Sequence, residues 1–205
     1  MELTETEYHG EDFAEVDLRG QDLSGRTFTD CDFSGAALTD LRLSGTSFTD
    51  CNFTGAEGYD SEFHTVSMVT CTLVRTSLLR AVFRGCRLTG STFTDCRLVG
   101  TGFRECDFTL VSLGGAKLAN RDLSGNRFRE ANLTGADLSG CDLTRADLTG
   151  ARLGGTVLKG ADLRGAAIDA AGWVGAVLTD AVIDIDQAAV FAAAHGLRLL
   201  APTES

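Results

Sequence analysis

Proline and long apolar runs are almost absent from this chain of 205 residues. The single proline is Pro202, and a backbone without proline over residues 1–201 is free to pair along its length, because proline donates no hydrogen bond to a sheet. The longest apolar run, 188–194, is far shorter than a membrane span. The first residues, MELTETE, are acidic, whereas a secretory signal begins with basic residues. We therefore expect a cytoplasmic protein that does not contact a membrane.

Basic side chains are also scarce: 18 Lys and Arg residues stand against 29 Asp and Glu residues, for a net charge of −11. A protein that holds nucleic acid through its phosphates needs a basic face. We therefore expect no direct nucleic-acid binding. The middle of the chain is an exception to the acidic composition, because it carries Arg75, Arg80, Arg84, Arg87, Arg97 and Arg104.

Apolar residues recur at every fifth position from Phe13 to Ile183. Of these 35 central positions, 30 hold Leu or Phe, and only Gly58 is not apolar. The residue two before each centre is usually small, and the residue two after it, which we call the corner residue, is most often Gly or Asp. A helix requires spacings of three and four and a simple strand requires two, so a period of five fits neither. The pattern predicts a solenoid that turns after each unit, with glycine supplying the turn.

The repeated units resemble the pentapeptide repeat family over residues 11–185, as in ANLTG at 131–135 and ADLSG at 136–140. This resemblance implies an all-β fold, a right-handed quadrilateral β-helix with four units and 20 residues per coil. At about 4.8 Å between paired strands, the rod would be roughly 42 Å long. The expected parts are an N-terminal tail at 1–10, the β-helix at 11–185 and a C-terminal helix and dimerisation tail at 186–205. At Gly58, which lacks an apolar side chain, we expect a dented corner.

Residues 186–200 depart from the period of five. They predict a short helix with Asp186 as its N-cap and Gly196 as its stop, followed by a strand through Leu197, Leu199 and Leu200. An apolar tail at the end of a β-solenoid would serve either as a cap over the open edge or as a dimer interface. We favour a homodimer joined at this end, through Trp173, Val190, Phe191, Leu197, Leu199 and Leu200.

The seven cysteines all occupy the small position of the repeat, at Cys31, Cys51, Cys71, Cys86, Cys96, Cys106 and Cys141. Their spacings are multiples of five, which does not match the close pairs of a metal site, and their odd number argues against a disulfide framework. The three histidines show no spacing typical of a catalytic triad or a metal site. We therefore expect buried free thiols, no enzyme activity, no cofactor and no metal.

Residues 20 apart should lie one above another, so the outward acidic residues should form columns. Stacked carboxylates repel one another, and such columns indicate a negative surface meant for a positive partner, such as a groove that binds DNA. The column Asp122, Asp142 and Asp162 is expected to meet the partner first. The other candidates are Asp137, Asp147, Asp12, Asp30, Asp32, Asp40, Asp50 and Asp60.

The stretches at 107–115 and 184–197 resemble fluoroquinolone-resistance members of the same family from mycobacteria. This resemblance implies a homodimer that imitates DNA and binds DNA gyrase, a type II topoisomerase. It implies that the protein modulates or inhibits gyrase and protects it from fluoroquinolones. Two alternatives are a structural scaffold without a DNA-like role and a self-immunity factor against a toxin that targets gyrase.

Overall fold

Residues 3–200 are described by a computed structural model, and most of them wind into a parallel β-solenoid. Backbone partners lie 20 residues apart, from Glu7 with Thr27 to Asp162 with Val182. Four ladders run along the rod, so each coil has four sides of five residues. We number the faces by the outward residue that precedes the centre in the first coil: face 1 begins at Glu7, face 2 at Asp12, face 3 at Asp17 and face 4 at Asp22.

The strands are three residues long because each side must turn after five residues. Face 1 carries β1 (Glu7–His9), β2 (Thr27–Thr29), β4 (Ser47–Thr49) and β6 (Ser67–Val69). Face 4 carries β3 (Arg42–Ser44), β5 (Glu62–His64), β8 (Val82–Arg84) and β10 (Gly102–Arg104), and face 2 carries β7 (Thr72–Val74) and β9 (Thr92–Thr94). The remaining sides pair through single bridges. Pairing begins at β1, inside the predicted N-terminal tail.

The central side chains fill the rod as stacked columns. Phe33 lies between Phe13 and Phe53, with ring centroids 4.8 and 5.1 Å away, and all three rings are buried. The corner residues adopt positive φ, as predicted for glycine, but Asp30, Asp50 and other non-glycine residues do so as well. Aspartate tolerates this left-handed conformation better than most residues, so part of the acidic character of the corners has a geometric cause.

Gly58 produces an internal cavity rather than the predicted dented corner. Its backbone remains paired, since the Gly58 amide donates to the Ser77 carbonyl at 2.7 Å. The apolar cavity left by the missing side chain is lined by Leu38, Leu78 and also Leu41, a large residue at a small position of the repeat. A Cβ atom at Gly58 would lie 3.2 Å from Cδ2 of Leu78, so Leu78 already occupies part of this space.

The ladders on faces 3 and 4 share one interruption in the described part of the rod. Within residues 3–200, neither Arg97 with Lys117 nor Gly102 with Asp122 forms a bridge. The guanidinium of Arg121 lies in this gap and donates at 2.7 Å to the backbone carbonyls of Leu98 and Thr101. A long cation at a small position therefore replaces backbone pairing here, and no feature of the repeat pattern predicted it.

Helices α1 (Ala170–Gly175) and α2 (Ile185–Ala194) close the C-terminal end. Helix α1 lies inside the region predicted to be regular coil, yet Trp173 keeps its inward place. The predicted N-cap Asp186 is wrong, because Asp184 caps α2 in a capping box with Gln187. Gly196 follows the helix at positive φ as predicted, whereas the predicted strand at 197–200 does not form. Between residues 3 and 200, no helix is long and apolar enough to cross a bilayer.

The cysteine side chains occupy the inward small position, as predicted, and six of the seven are buried free thiols. Cys96 is half-buried, and burial raises its pKa to about 11, so little reactive thiolate exists at neutral pH.

Thiol labelling should therefore find no fast-reacting cysteine in the folded protein and seven after unfolding. We expect Cys96 to react first, slowly, and faster as the pH rises towards its pKa. A Cys96→Ala variant should lose this slow phase and keep the rest. Rapid labelling of several thiols in the native protein would contradict the buried arrangement.

Candidate interaction surface

Many outward aspartates have a structural task that sequence reasoning missed. When aspartate precedes the central residue, its carboxylate accepts a hydrogen bond from the backbone N–H two residues later, as between Asp12 and Ala14 at 2.9 Å and between Asp142 and Thr144 at 2.9 Å. Asn52 makes the same contact, in which it accepts from the Thr54 amide at 3.0 Å. The sequence signal for this hydrogen bond was the repeated Asp or Asn before the central residue. Asparagine can therefore replace these aspartates without losing the turn.

The predicted column Asp122, Asp142 and Asp162 exists, because consecutive members are bridge partners on face 4. Its charge is partly compensated. Arg164 forms an ion pair with Asp162 at 2.6 Å and lowers its pKa, and the same guanidinium is close enough to interact with the charge of Asp142. Hydrogen bonds from the Ser124 hydroxyl and backbone, with the nearby charge of Arg104, hold the pKa of Asp122 below its usual value.

Asp137 and Asp147 do not join this column, because they lie on faces 3 and 1. The Ser139 hydroxyl donates to Asp137 at 2.6 Å and is the main reason that the pKa of Asp137 is lowered. Asp147 forms an ion pair with Arg129 at 3.6 Å. These two aspartates therefore belong to other sides of the rod.

The N-terminal aspartates form a denser and less compensated surface. Asp12 and Asp32 are bridge partners on face 2, and Asp30 and Asp50 occupy the corner just before that face. We call these four residues the N-terminal acidic edge. Their hydrogen bonds come from neutral groups, such as the Thr70 hydroxyl for Asp50 and the Asn52 amide for Asp32 at 3.0 Å. Over the described part of the chain, no member forms an ion pair.

Asp40 and Asp60 lie on a different edge, at the corner between faces 3 and 4. Arg80 binds Asp60 through an ion pair at 2.5 Å and lowers its pKa. The predicted acidic surface is therefore not one patch: it comprises the N-terminal acidic edge, the partly compensated column on face 4 and separate residues elsewhere.

The predicted dimer residues divide into buried and exposed groups. Trp173 is only 2% exposed and packs edge-to-face against the half-buried Phe191, with ring centroids 5.9 Å apart. The exposed apolar side chains at this end are Val174, Val177, Val182, Ile185, Val190, Leu197, Leu199 and Leu200. Sequence analysis missed the first four. The signal for Val177 and Val182 was valine at an outward position that is polar in most coils.

The geometry defines a repeat solenoid with charged outward columns, and comparison with known proteins places it in a family. The model for a pentapeptide repeat region matches residues 76–153, and the model for pentapeptide repeats (8 copies) matches 12–55 and 141–171. The chain belongs to the pentapeptide repeat family. No curated protein matches it by sequence.

Among solved structures, two trypsin-treated single-site variants of QnrB1, described as a plasmid-mediated fluoroquinolone resistance protein, have similar folds. Both give a TM-score of 0.82, one at 24% identity and the other at 23%, and each comparison covers 95% of this chain and 97% of the other. Full-length QnrB1 has a TM-score of 0.52 at 21% identity over 93% of this chain and 97% of its own. The segments 107–115 and 184–197 resemble the mycobacterial fluoroquinolone-resistance protein MfpA, which is a protein of the same kind.

Proposed function

We propose that this protein binds DNA gyrase by imitating DNA and protects the enzyme from fluoroquinolones. The observation that supports this proposal is the N-terminal acidic edge, where four carboxylates without ion pairs are held on a rigid ladder in the described part of the chain. The fold likeness to QnrB1, a fluoroquinolone resistance protein, supports the link to the drug, and the resemblance to the mycobacterial members supplies the target.

Rigidity gives the acidic edge its electrostatic effect. Adjacent coils hold Asp12 above Asp32 at about 4.8 Å, a repulsive arrangement that no ion pair within residues 3–200 neutralises. A basic groove that normally receives phosphates would relieve this repulsion on binding. Because Arg164 pairs with Asp162 and also attracts Asp142, we expect the N-terminal acidic edge to contribute more than the column on face 4, which the sequence placed first.

The same charge distribution supports a partner protein rather than nucleic acid. The acidic edge would repel phosphates, and the outward arginines of the middle coils are flanked by acidic regions on both sides. The inward positions are filled by packing side chains, and within residues 3–200 no cluster of His, Cys, Asp and Glu suits a metal ion. We propose a non-catalytic cytoplasmic protein that acts by occupying a surface of gyrase.

Dimerisation through the C-terminal end is the second part of the proposal. The apolar side chains there are strongly exposed, reaching 87% at Ile185 and 83% at Leu200. Joining two copies end to end would bury them and make a rod roughly 80 Å long, with an acidic edge near each tip. The exposed apolar surface exceeds what a monomeric cap requires.

Replacing Leu197 and Leu199 by aspartate should convert the dimer to a monomer, because each change places a charge in the apolar interface. Light scattering of the double variant should give half the wild-type mass. Val99→Asp is the matched control, since Val99 is 72% exposed but lies far from this end. A double variant that keeps the wild-type mass would place the interface elsewhere.

A supercoiling assay tests the gyrase proposal. Purified gyrase should lose supercoiling activity as the protein is added, and fewer cleaved DNA complexes should accumulate when a fluoroquinolone is present. If neither quantity changes at a large excess of folded protein, the scaffold alternative replaces this proposal.

A further inference from the structure

Face 4 carries two arginines in direct opposition. Arg84 and Arg104 are paired on β8 and β10, and both are exposed. Like charges in this arrangement destabilise a sheet. Over residues 3–200 neither guanidinium forms an ion pair, and the only compensation shown is the longer-range attraction between Arg104 and Asp122. Most of the repulsion between the two arginines therefore remains.

The next two coils of the same face carry negative charges, at the position before the central residue. Asp122 and Asp142 are bridge partners, and both are exposed. The two halves meet at the interruption of the ladder between Gly102 and Asp122. Each half retains the regular coil spacing, because Arg84 with Arg104 and Asp122 with Asp142 are in register. The four middle coils of face 4 therefore carry a basic pair after the central residue and then an acidic pair before it, with equal spacing within each pair.

We propose that face 4 binds face 4 of a second copy of this chain, with the two rods antiparallel about a two-fold axis at the interruption. Such an axis places each coil against the coil of the second copy that lies equally far on the other side of the interruption. A residue keeps its position along the five-residue side, so it faces a residue at the same position of the repeat. Arg104 then approaches Asp122 of the second copy, and Arg84 approaches its Asp142. Both contacts occur twice, so four ion pairs form at once.

The sizes of the side chains fit the same symmetry. Across the axis, Arg104 faces Ser124 and Arg84 faces Thr144, so each long side chain meets a short one and can reach the neighbouring aspartate. Asp122 faces Gly102, where a side-chain atom would meet nothing within 4 Å. At the corners, Gly85, Gly100, Gly125 and Gly140 face larger residues of the second copy, which are in the same order Arg145, Asn120, Glu105 and Arg80. A flat contact is thus sterically open.

The lateral contact covers Asp122 and Asp142 but leaves the N-terminal acidic edge on face 2 free. It does not use the apolar C-terminal end. The contact between two copies of face 4 would therefore join end-to-end dimers into larger assemblies. Because the face is narrow and its contacts are ionic, the association should be weak and sensitive to salt.

Sedimentation equilibrium of the full chain at about 0.02 M and about 0.5 M salt tests this arrangement. The wild type should show an average mass that rises with protein concentration at low salt and falls when salt is added. Arg84→Glu with Arg104→Glu should weaken this association at least tenfold. The matched control, Arg87→Glu with Arg97→Glu, makes the same change of charge on faces 1 and 3 and should associate like the wild type.

A complementary variant makes the test specific. Asp122→Arg with Asp142→Arg should also lose the association, and the fold should survive, because Arg42 and Arg152 occupy the same position of the repeat. A mixture of the two charge-reversed variants should associate again at low salt. If the glutamate variant associates like the wild type, or if the mixture of two folded variants does not associate, face 4 is not this interface.

Discussion

Replacing Phe83 by alanine should lower the free energy of unfolding by about 3–5 kcal/mol. The Phe83 ring is fully buried between Phe63 and Phe103, with centroids 4.3 and 5.1 Å away. Its removal leaves a cavity that the neighbouring coils cannot fill, because their backbones are fixed by the ladders of the rod. Denaturant unfolding followed by circular dichroism measures the effect.

Phe83→Leu is the matched control, since leucine occupies many central positions of this chain. We expect it to cost less than about 1.5 kcal/mol. If alanine and leucine at this position unfold at the same denaturant concentration, the central residues do not carry the stability of the rod.

Changing the four aspartates of the N-terminal acidic edge to asparagine should weaken gyrase binding by about 10- to 100-fold at low salt. The fold should survive, because Asn52 already makes the backbone contact of the outward position and Asn120 already adopts the positive φ of a corner. Asparagine keeps the shape and removes only the charge. The difference between variant and wild type should shrink as salt is added.

The control is a second variant in which four other aspartates are replaced by asparagine, so that the net charge changes by the same amount. Its aspartates are already bound by arginines, at Asp60, Asp107, Asp147 and Asp162. We expect a smaller loss of binding, because these carboxylates are already paired. Equal losses for both variants would mean that overall charge, and not the acidic edge, determines binding.

The coil was predictable because one period runs through the chain, and the offset of 20 residues followed from the family resemblance. Helix α1 was not predictable, since Trp173 keeps the register of five while the surrounding backbone turns helical. The interruption at Arg121 was also hidden, because a single long side chain at a small position looks like a tolerated exception to the repeat.

The same offset predicted which aspartates of the candidate site stack in columns. It was not used to predict which of these aspartates are paired with arginines. Arg164 neutralises Asp162 from two residues away, and Arg19 does the same to Asp17 at 2.5 Å. The pattern Asp-Leu-Arg marks both pairs and was the signal to use. The pairing of Asp60 with Arg80 is a contact between coils, and its signal was the offset of 20 residues between an aspartate and an arginine.

The most direct test of DNA imitation is competition for gyrase between this protein and a DNA duplex. Labelled protein is bound to purified gyrase at low salt, and unlabelled duplex is added while the bound fraction is followed by fluorescence anisotropy. If the protein imitates DNA, duplex DNA displaces it completely, and the protein displaces labelled duplex in the reverse experiment. A complex in which gyrase holds both at saturation would contradict the imitation of DNA.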